Sequence, residues 1–239
     1  MDESLLLKKI TSIFLGTHDF HELARRAVDL IVKELKSQGI ATAGIGRVHE
    51  KENLLSAYAY ATKFRRTIDK LLPSKFNQLS VPLSRTDNLG VRTVVTGQIQ
   101  QSKKMADFSR GIISDELIDK IQKIMRGRLS ICFPIKIRSG KVVGMLLLVT
   151  REEKITGEQL VLFETFAEQL GLAFANTMAF EKLITRYKKE QASEINEENL
   201  PSIKFTLRIT PKQNKNLDRL ARERGKTKAE LIREILEKD

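Results

Sequence analysis

Apolar and polar positions along this chain alternate with two periods, and the changes between them mark the elements. In "HELARRAVDLIVKELKS" the apolar residues Leu23, Ala27, Leu30, Ile31 and Leu35 fall at helical spacing until Gly39 stops the run. Strands follow in "IATAGIGRV" and "NLLSAYAYAT", joined by the turn at 49–53. The pattern then predicts a helical stretch near 64–72, a strand over 77–84, a helix in "LGVRTVVT" that Gly97 ends, and a helix over 115–125. A hairpin about Ser139 and Gly140 comes next. A long helix opens at Thr156, where "TGEQ" has the form of a capping box, and runs to about Tyr187. Its apolar residues outnumber what one face requires, so one side is expected on its own sheet and another on a partner.

The stretch 188–202, "KKEQASEINEENLPS", has few large apolar residues, four Glu and a Pro, and reads as a linker between residues 1–187 and 203–239. Beyond it Ile203, Lys204, Phe205, Thr206, Leu207, Arg208 and Ile209 alternate strictly, as a half-buried strand does. Thr210 and Pro211 then open a helix, Gly225 ends it, and Thr227 with Glu230 forms a capping box for a second helix. A strand and two short helices bury too little surface to stand alone, and a single strand has both edges unpaired. Two copies resolve both difficulties: paired antiparallel, the strands turn Phe205, Leu207 and Ile209 inward and Lys204, Thr206 and Arg208 outward.

Charge sharpens the picture. The 239 residues hold 42 Lys and Arg against 30 Asp and Glu, a net +12, which points to a polyanionic partner, with nucleic acid ahead of an anionic membrane. The stretch 203–239 has eleven cations and six acids, so +5 sits in under a sixth of the chain. One cysteine, Cys132, excludes an internal disulfide framework, and three His leave little for a zinc site. No run approaches the length of a membrane span and the N-terminus lacks a signal-peptide layout, so the expected setting is the cytoplasm, with no membrane partner. There is no catalytic carboxylate pair, no nucleophile with its base and no phosphate loop; "GIG" at 44–46 lies inside a strand. No enzymatic activity and no cofactor are expected.

Residues 203–239 resemble the ribbon-helix-helix repressors of the Arc, MetJ and CopG type, in the strand alternation, the polar turn, the Gly between helices and the Thr opening the second helix. The resemblance implies a homodimer or higher even oligomer bound to double-stranded DNA, its ribbon in the major groove. Lys204, Thr206 and Arg208 would then contact bases, and the N–H groups near Thr227 and Lys228 a backbone phosphate. An antitoxin-type autoregulator of the same family is the alternative.

Most of residues 4–187 resembles a GAF domain through the "VVTGQ" helix end, the "FPI....GKVVGMLLL" hairpin and the closing helix "TGEQLVLFETFAEQLGLAFAN". The expected fold class is therefore α+β: a GAF-like antiparallel sheet with flanking helices and a long C-terminal helix, plus a small dimeric ribbon-helix-helix unit. The GAF resemblance also implies a pocket for a small-molecule effector, walled by Tyr58, Tyr60, Val91, Phe108, Ile112, Leu117, Ile121, Ile131 and Phe133. Ordinary core packing is the commoner reading of each of these residues, because Phe and Ile fill interiors whether or not a ligand exists. Cys132, inside a strand, is expected to be buried and inert rather than a bilin attachment point. His18, His21 and His49 are expected at the surface or in caps, and the "KFRR" and "RGR" patches read as solvated charge. A ligand sensor without DNA binding is the second alternative.

Overall fold

The computed structural model describes residues 19–193, with side chains as far as 186, and then residues 218–219 and 221–227. These fall into two compact units, Met1–Glu190 and Gln191–Asp239. Among the described residues no helix is long and apolar enough to cross a membrane.

The first unit is built on six strands: β1 (Ile40–His49), β2 (Leu54–Thr62), β3 (Ser80–Pro82), β4 (Gln100–Ser102), β5 (Leu129–Lys136) and β6 (Val142–Thr150). They form one antiparallel sheet in the order β3-β2-β1-β6-β5-β4. Helix α1 (Phe20–Glu34) starts at Asp19, whose carboxylate accepts from the Glu22 N–H at 2.7 Å. With the long helix α5 (Gly157–Ser193) it supplies the main core, in which Leu23, Val28 and Ile31 of α1 and Phe163, Leu170 and Phe174 of α5 join Ile45, Ile131, Phe133, Ile135, Leu146 and Leu148. The capping box at the head of α5 forms as the sequence predicts: the Gln159 N–H donates to Thr156 Oγ1 at 3.2 Å and the Thr156 N–H to Gln159 Oε1 at 2.9 Å.

Three short helices lie over the opposite region of the sheet: α2 (Arg65–Asp69), α3 (Leu89–Thr96) and α4 (Asp115–Met125). Helix α4 matches its sequence range, and α3 ends at Gly97 with φ +66°, a left-handed stop that a side chain would strain. Three details differ from expectation. The strand expected over 77–84 shrinks to Ser80–Pro82, because a 3-10 turn occupies Phe76–Gln78 and Pro82 has no N–H to extend a ladder. Strand β4, three residues long, is too short to show an alternation in the sequence. Helix α5 continues past Tyr187 to Ser193, into the stretch read as linker. Lys, Glu, Gln and Ala there are good helix formers, so nothing in 188–192 breaks the turn.

In the second unit, residues 218–219 and 221–223 are helical. Gly225 takes φ +61°, the Lys226 N–H donates to the Ala221 carbonyl at 3.0 Å, and the Gly225 N–H donates to Arg222 at 3.2 Å. This is the left-handed termination the sequence places there. The predicted strand, with Lys204, Thr206 and Arg208, and also Lys228, lies outside the described residues.

Candidate functional site

The expected effector pocket tests how well face assignment reads from sequence. Strand β5 buries both its faces, and alternation sends Leu129, Ile131, Phe133 and Ile135 to the α1/α5 side. Ile131 and Phe133 are therefore part of the main core and not a pocket wall on the lid side. The β5 residues facing the lid are Ser130, Cys132 and Pro134. In β2, Ile45 pairs with Ala59 and Gly46 with Ala57, which leaves Tyr58 as the extra residue of a β-bulge. One inserted residue reverses the alternation. Tyr58 accordingly packs on the main core with its ring 4.7 Å from that of Phe20, and Tyr60 sits on the lid side with Ile68, Ile118, Ile121 and Met125. The nine predicted residues are thus divided among Tyr58, Ile131 and Phe133 in the main core, Tyr60, Leu117 and Ile121 under α2 and α4, and Val91 and Ile112 around α3. Phe108 is buried, its carbonyl held by Asn88.

The lid side is tied down by two side-chain amides. Asn88, fully buried, caps α3 by accepting from the N–H groups of Gly90 (2.8 Å) and Val91 (3.1 Å). Its amide nitrogen donates to the carbonyls of Phe108 (3.1 Å) and Arg110 (2.9 Å), so every bonding position is used. Gln122 does the same for α4: its oxygen accepts from the Met105 N–H at 2.8 Å, and its nitrogen donates to Lys103 (2.7 Å) and Gly127 (3.1 Å). Neither was singled out from sequence. An Asn directly before an apolar helical run was the available signal for Asn88; Gln122, a surface-type residue on an amphipathic helix, gave none.

Between these clamps lies the sheet's lid face. Cys132 is fully buried, and that burial pushes its thiol up to about 12, with a Thr93 hydrogen bond pulling the other way. Its Sγ lies 3.3 Å from Met145 Sδ. The Ser130 hydroxyl is buried and has no hydrogen-bond partner among the described residues. At the outer side Tyr60 donates to Asp69, and burial first, then that carboxylate, raises the phenol above its ordinary value. Beneath α2 and α4 the side chains of Tyr60, Ile68, Ile118, Ile121 and Met125 are buried against one another; one surface depression is lined by Lys63, Phe64, Arg65, Arg66, Thr67 and Asp69 around α2, another by Glu181, Lys182, Thr185 and Arg186 of α5. Among the described residues no cluster of His, Cys, Asp and Glu is arranged to hold a metal.

On the other side of the sheet a second polar constellation joins α1, β1, β2 and α5. The Arg47 guanidinium lies 4.2 Å over the Phe20 ring and donates to Glu181 Oε2 at 2.9 Å. Burial pulls Arg47 down; the Glu181 bond and charge, helped by Tyr58, outweigh it, and the group is held above its usual range. His21 lies against the face of Tyr58 with ring centres 4.8 Å apart.

A single six-stranded antiparallel sheet with a two-helix layer and a helical lid defines an α+β domain of the sensing and regulatory kind. A family model described as GAF domain matches residues 17–175, well over half of the chain, and the chain belongs to that family. Among solved structures, the GAF domain from an Acinetobacter phosphoenolpyruvate-protein phosphotransferase is similar at 15% identity over 75% of this chain and 96% of that one, TM-score 0.54. The GAF domain of the same kind of enzyme from Coxiella burnetii aligns at 13% identity over 76% and 99%, TM-score 0.56. Free methionine-R-sulfoxide reductase from Neisseria meningitidis aligns at 12% identity over 73% and 89%, TM-score 0.51. At these identities the likeness establishes the fold. No curated protein sequence matches the chain.

Proposed function

We propose that this chain is a DNA-binding transcriptional regulator, in which a GAF domain over residues 1–187 controls a ribbon-helix-helix unit over residues 203–239. It acts in the cytoplasm as a homodimer or higher even oligomer, without enzymatic activity. The observation that carries the reading is the helix end at Gly225. The Lys226 N–H to Ala221 bond stops the first tail helix at the residue where the two-helix pattern demands it, two residues before Thr227, at which the sequence pattern opens the next. With the strict alternation over 203–209 and eleven cations in the tail, it supports a unit completed by a second chain. Lys204, Thr206 and Arg208 read base edges, and the N–H groups at Thr227 and Lys228 hold a phosphate.

The GAF domain contributes in two ways. It holds two tails at an effective concentration of about millimolar. A small effector entering the lid side adds control only by its differential affinity for the two states of the lid. Because that side is packed, an effector must displace α2 or α4, which couples occupancy to a movement of the lid. A mobility-shift titration tests the reading. Arg208→Ala loses about 1–3 kcal/mol at a cognate site and relaxes preference there, while Lys228→Ala weakens all sequences alike. Parent-like binding by both variants removes the assigned roles.

A further inference from the structure

Two basic stretches that read singly as solvated charge, around Lys63 and around Arg126, are brought to one end of the sheet. Register fixes the place. Thr62 at the end of β2 pairs with Thr42, Ile40 at the start of β1 with Thr150, Thr150 at the end of β6 with Leu129, and Ser130 near the start of β5 with Ser102 at the end of β4. Five strands therefore begin or finish side by side. Within four residues beyond those strand ends the chain places ten Lys and Arg against two acids, Glu152 and Glu153; the same span at the opposite end of the sheet holds four against two. Gln122 ties two of the basic loops together, since its amide nitrogen donates to both the Lys103 and the Gly127 carbonyls. The Arg128 N–H donates to the Thr150 carbonyl at 2.8 Å and the Arg151 N–H to the Gly39 carbonyl at 3.0 Å, which holds the next positions in line.

Ion pairing does not account for this charge. Glu153 takes Arg128 at 2.8 Å and Lys103 at 4.0 Å, and Asp69 of α2 takes Arg65 at 3.7 Å. Lys63, Arg66 and Arg126 are exposed and Arg151 is half-buried, and none of the four has a carboxylate partner among the described residues. Like charges gathered without partners cost stability. Arg126 adds a second cost: it ends α4 at φ +56°, in the left-handed region where Gly is at ease and a larger residue is strained. The dipole of α4 does not require it there, because Lys123 already sits in the last turn.

We propose that this end of the sheet is a second DNA-binding surface, on the GAF domain itself, that grips backbone phosphates without reading sequence. Guanidinium forks match phosphate oxygens. The row from the end of β2 to the end of β4 crosses four strand spacings, about 19 Å. That exceeds the width of a major groove, about 12 Å, so cations at the two ends of the row reach phosphates on both of its sides. Among the described residues no large apolar side chain of these loops is exposed, so nothing is placed to enter a lipid interface. The partner rests on the DNA-binding reading of the chain; the surface does not depend on the ribbon.

The test uses the full chain and a fluorescent duplex of random sequence, with affinity followed by anisotropy from low to moderate salt. One variant carries Arg66→Gln and Arg126→Gly. The other removes two exposed cations from the opposite end of the sheet, Lys51→Gln and Arg138→Gln. Each lost phosphate contact lowers the slope of log affinity against log salt by about 0.9, so the first variant should lose about 2 from the slope and the second nothing. The first variant should melt no lower than the parent, since Gly at 126 relieves the backbone. Lys63→Gln with Arg66→Gln, which leaves every turn as it is, should show the same loss of slope. Equal slopes for the variants of the two ends, whether at or below that of the parent, overturn the inference and leave the DNA reading standing. No DNA affinity in the parent at low salt overturns both. A reduced slope in the first variant beside parent-like binding by Arg208→Ala supports the surface and defeats the ribbon. Vesicles of phosphatidylcholine with phosphatidylserine form the last arm: vesicle binding that the first variant loses, with its DNA slope unchanged, assigns the surface to an anionic membrane and overturns the inference.

Discussion

Replacing Asn88 by Ala should open the lid without touching the sheet. Four hydrogen bonds end on this side chain, two accepted from the first turn of α3 and two donated to Phe108 and Arg110. Losing the cap costs about 1 kcal/mol. The Phe108 carbonyl is left buried without a donor, at about 2 kcal/mol, whereas the Arg110 carbonyl is nearer the surface and recovers water for about 0.5 to 1. The sum is about 3.5 kcal/mol, or roughly 10 °C in Tm for a domain of this size. Thermal unfolding followed by circular dichroism measures it, and hydrogen exchange should locate the loosening at residues 105–112. Asn88→Ser, which keeps an acceptor for the cap and loses the amide donor, should fall between parent and Ala. A melting point for Asn88→Ala within about 2 °C of the parent would refute the idea that this residue holds the lid.

Other consequences are open to measurement. A Cβ on Gly171 would lie 1.9 Å from the Lys136 carbonyl oxygen, so Gly171→Ala must push α5 off the sheet and should lose about 3 kcal/mol or fail to fold, while Gly157→Ala, with open space around it, should be neutral in the same melt. Cys132 should ignore thiol reagents at pH 8 until the protein unfolds. Its folded-state thiol titrates higher than the unfolded one, so its contribution is complete below pH 9 and is lost as pH rises towards about 12; Cys132→Ser should remove that part of the alkaline loss. Arg47→Ala, losing the Phe20 contact and the Glu181 pair, should cost about 1–2 kcal/mol. Glu181→Ala should cost less and in a salt-dependent way because Glu181 is 42% exposed, and a double-mutant cycle should show a coupling of about 0.5 kcal/mol.

How much could be read beforehand depended on whether a signal was local. Thr156 with Gln159, Gly97 and Gly225 carry their conformations in one or a few residues, and each takes the form expected. Face assignment was the weak point. The strand around "LSICFPIKI" is apolar on both sides, so alternation alone does not say which set faces the lid; the structure gives that side the smaller Ser130 and Cys132. Tyr58 and Tyr60, two apart, read as sharing a face until a bulge intervenes, and the sequence "AYAYA" contains no Gly or Pro to announce it. The clamp made by Asn88 depends on carbonyls twenty residues away and has no sequence signature beyond its cap position.

The central claim, that the tail is half of a DNA-binding unit governed by a GAF domain, meets its most direct test in selection from random double-stranded DNA by the full-length chain at moderate salt. The account predicts enrichment of a recurrent motif and an affinity that falls steeply with added salt. Recovery of unenriched DNA, or no retention of DNA even at low salt, would contradict it.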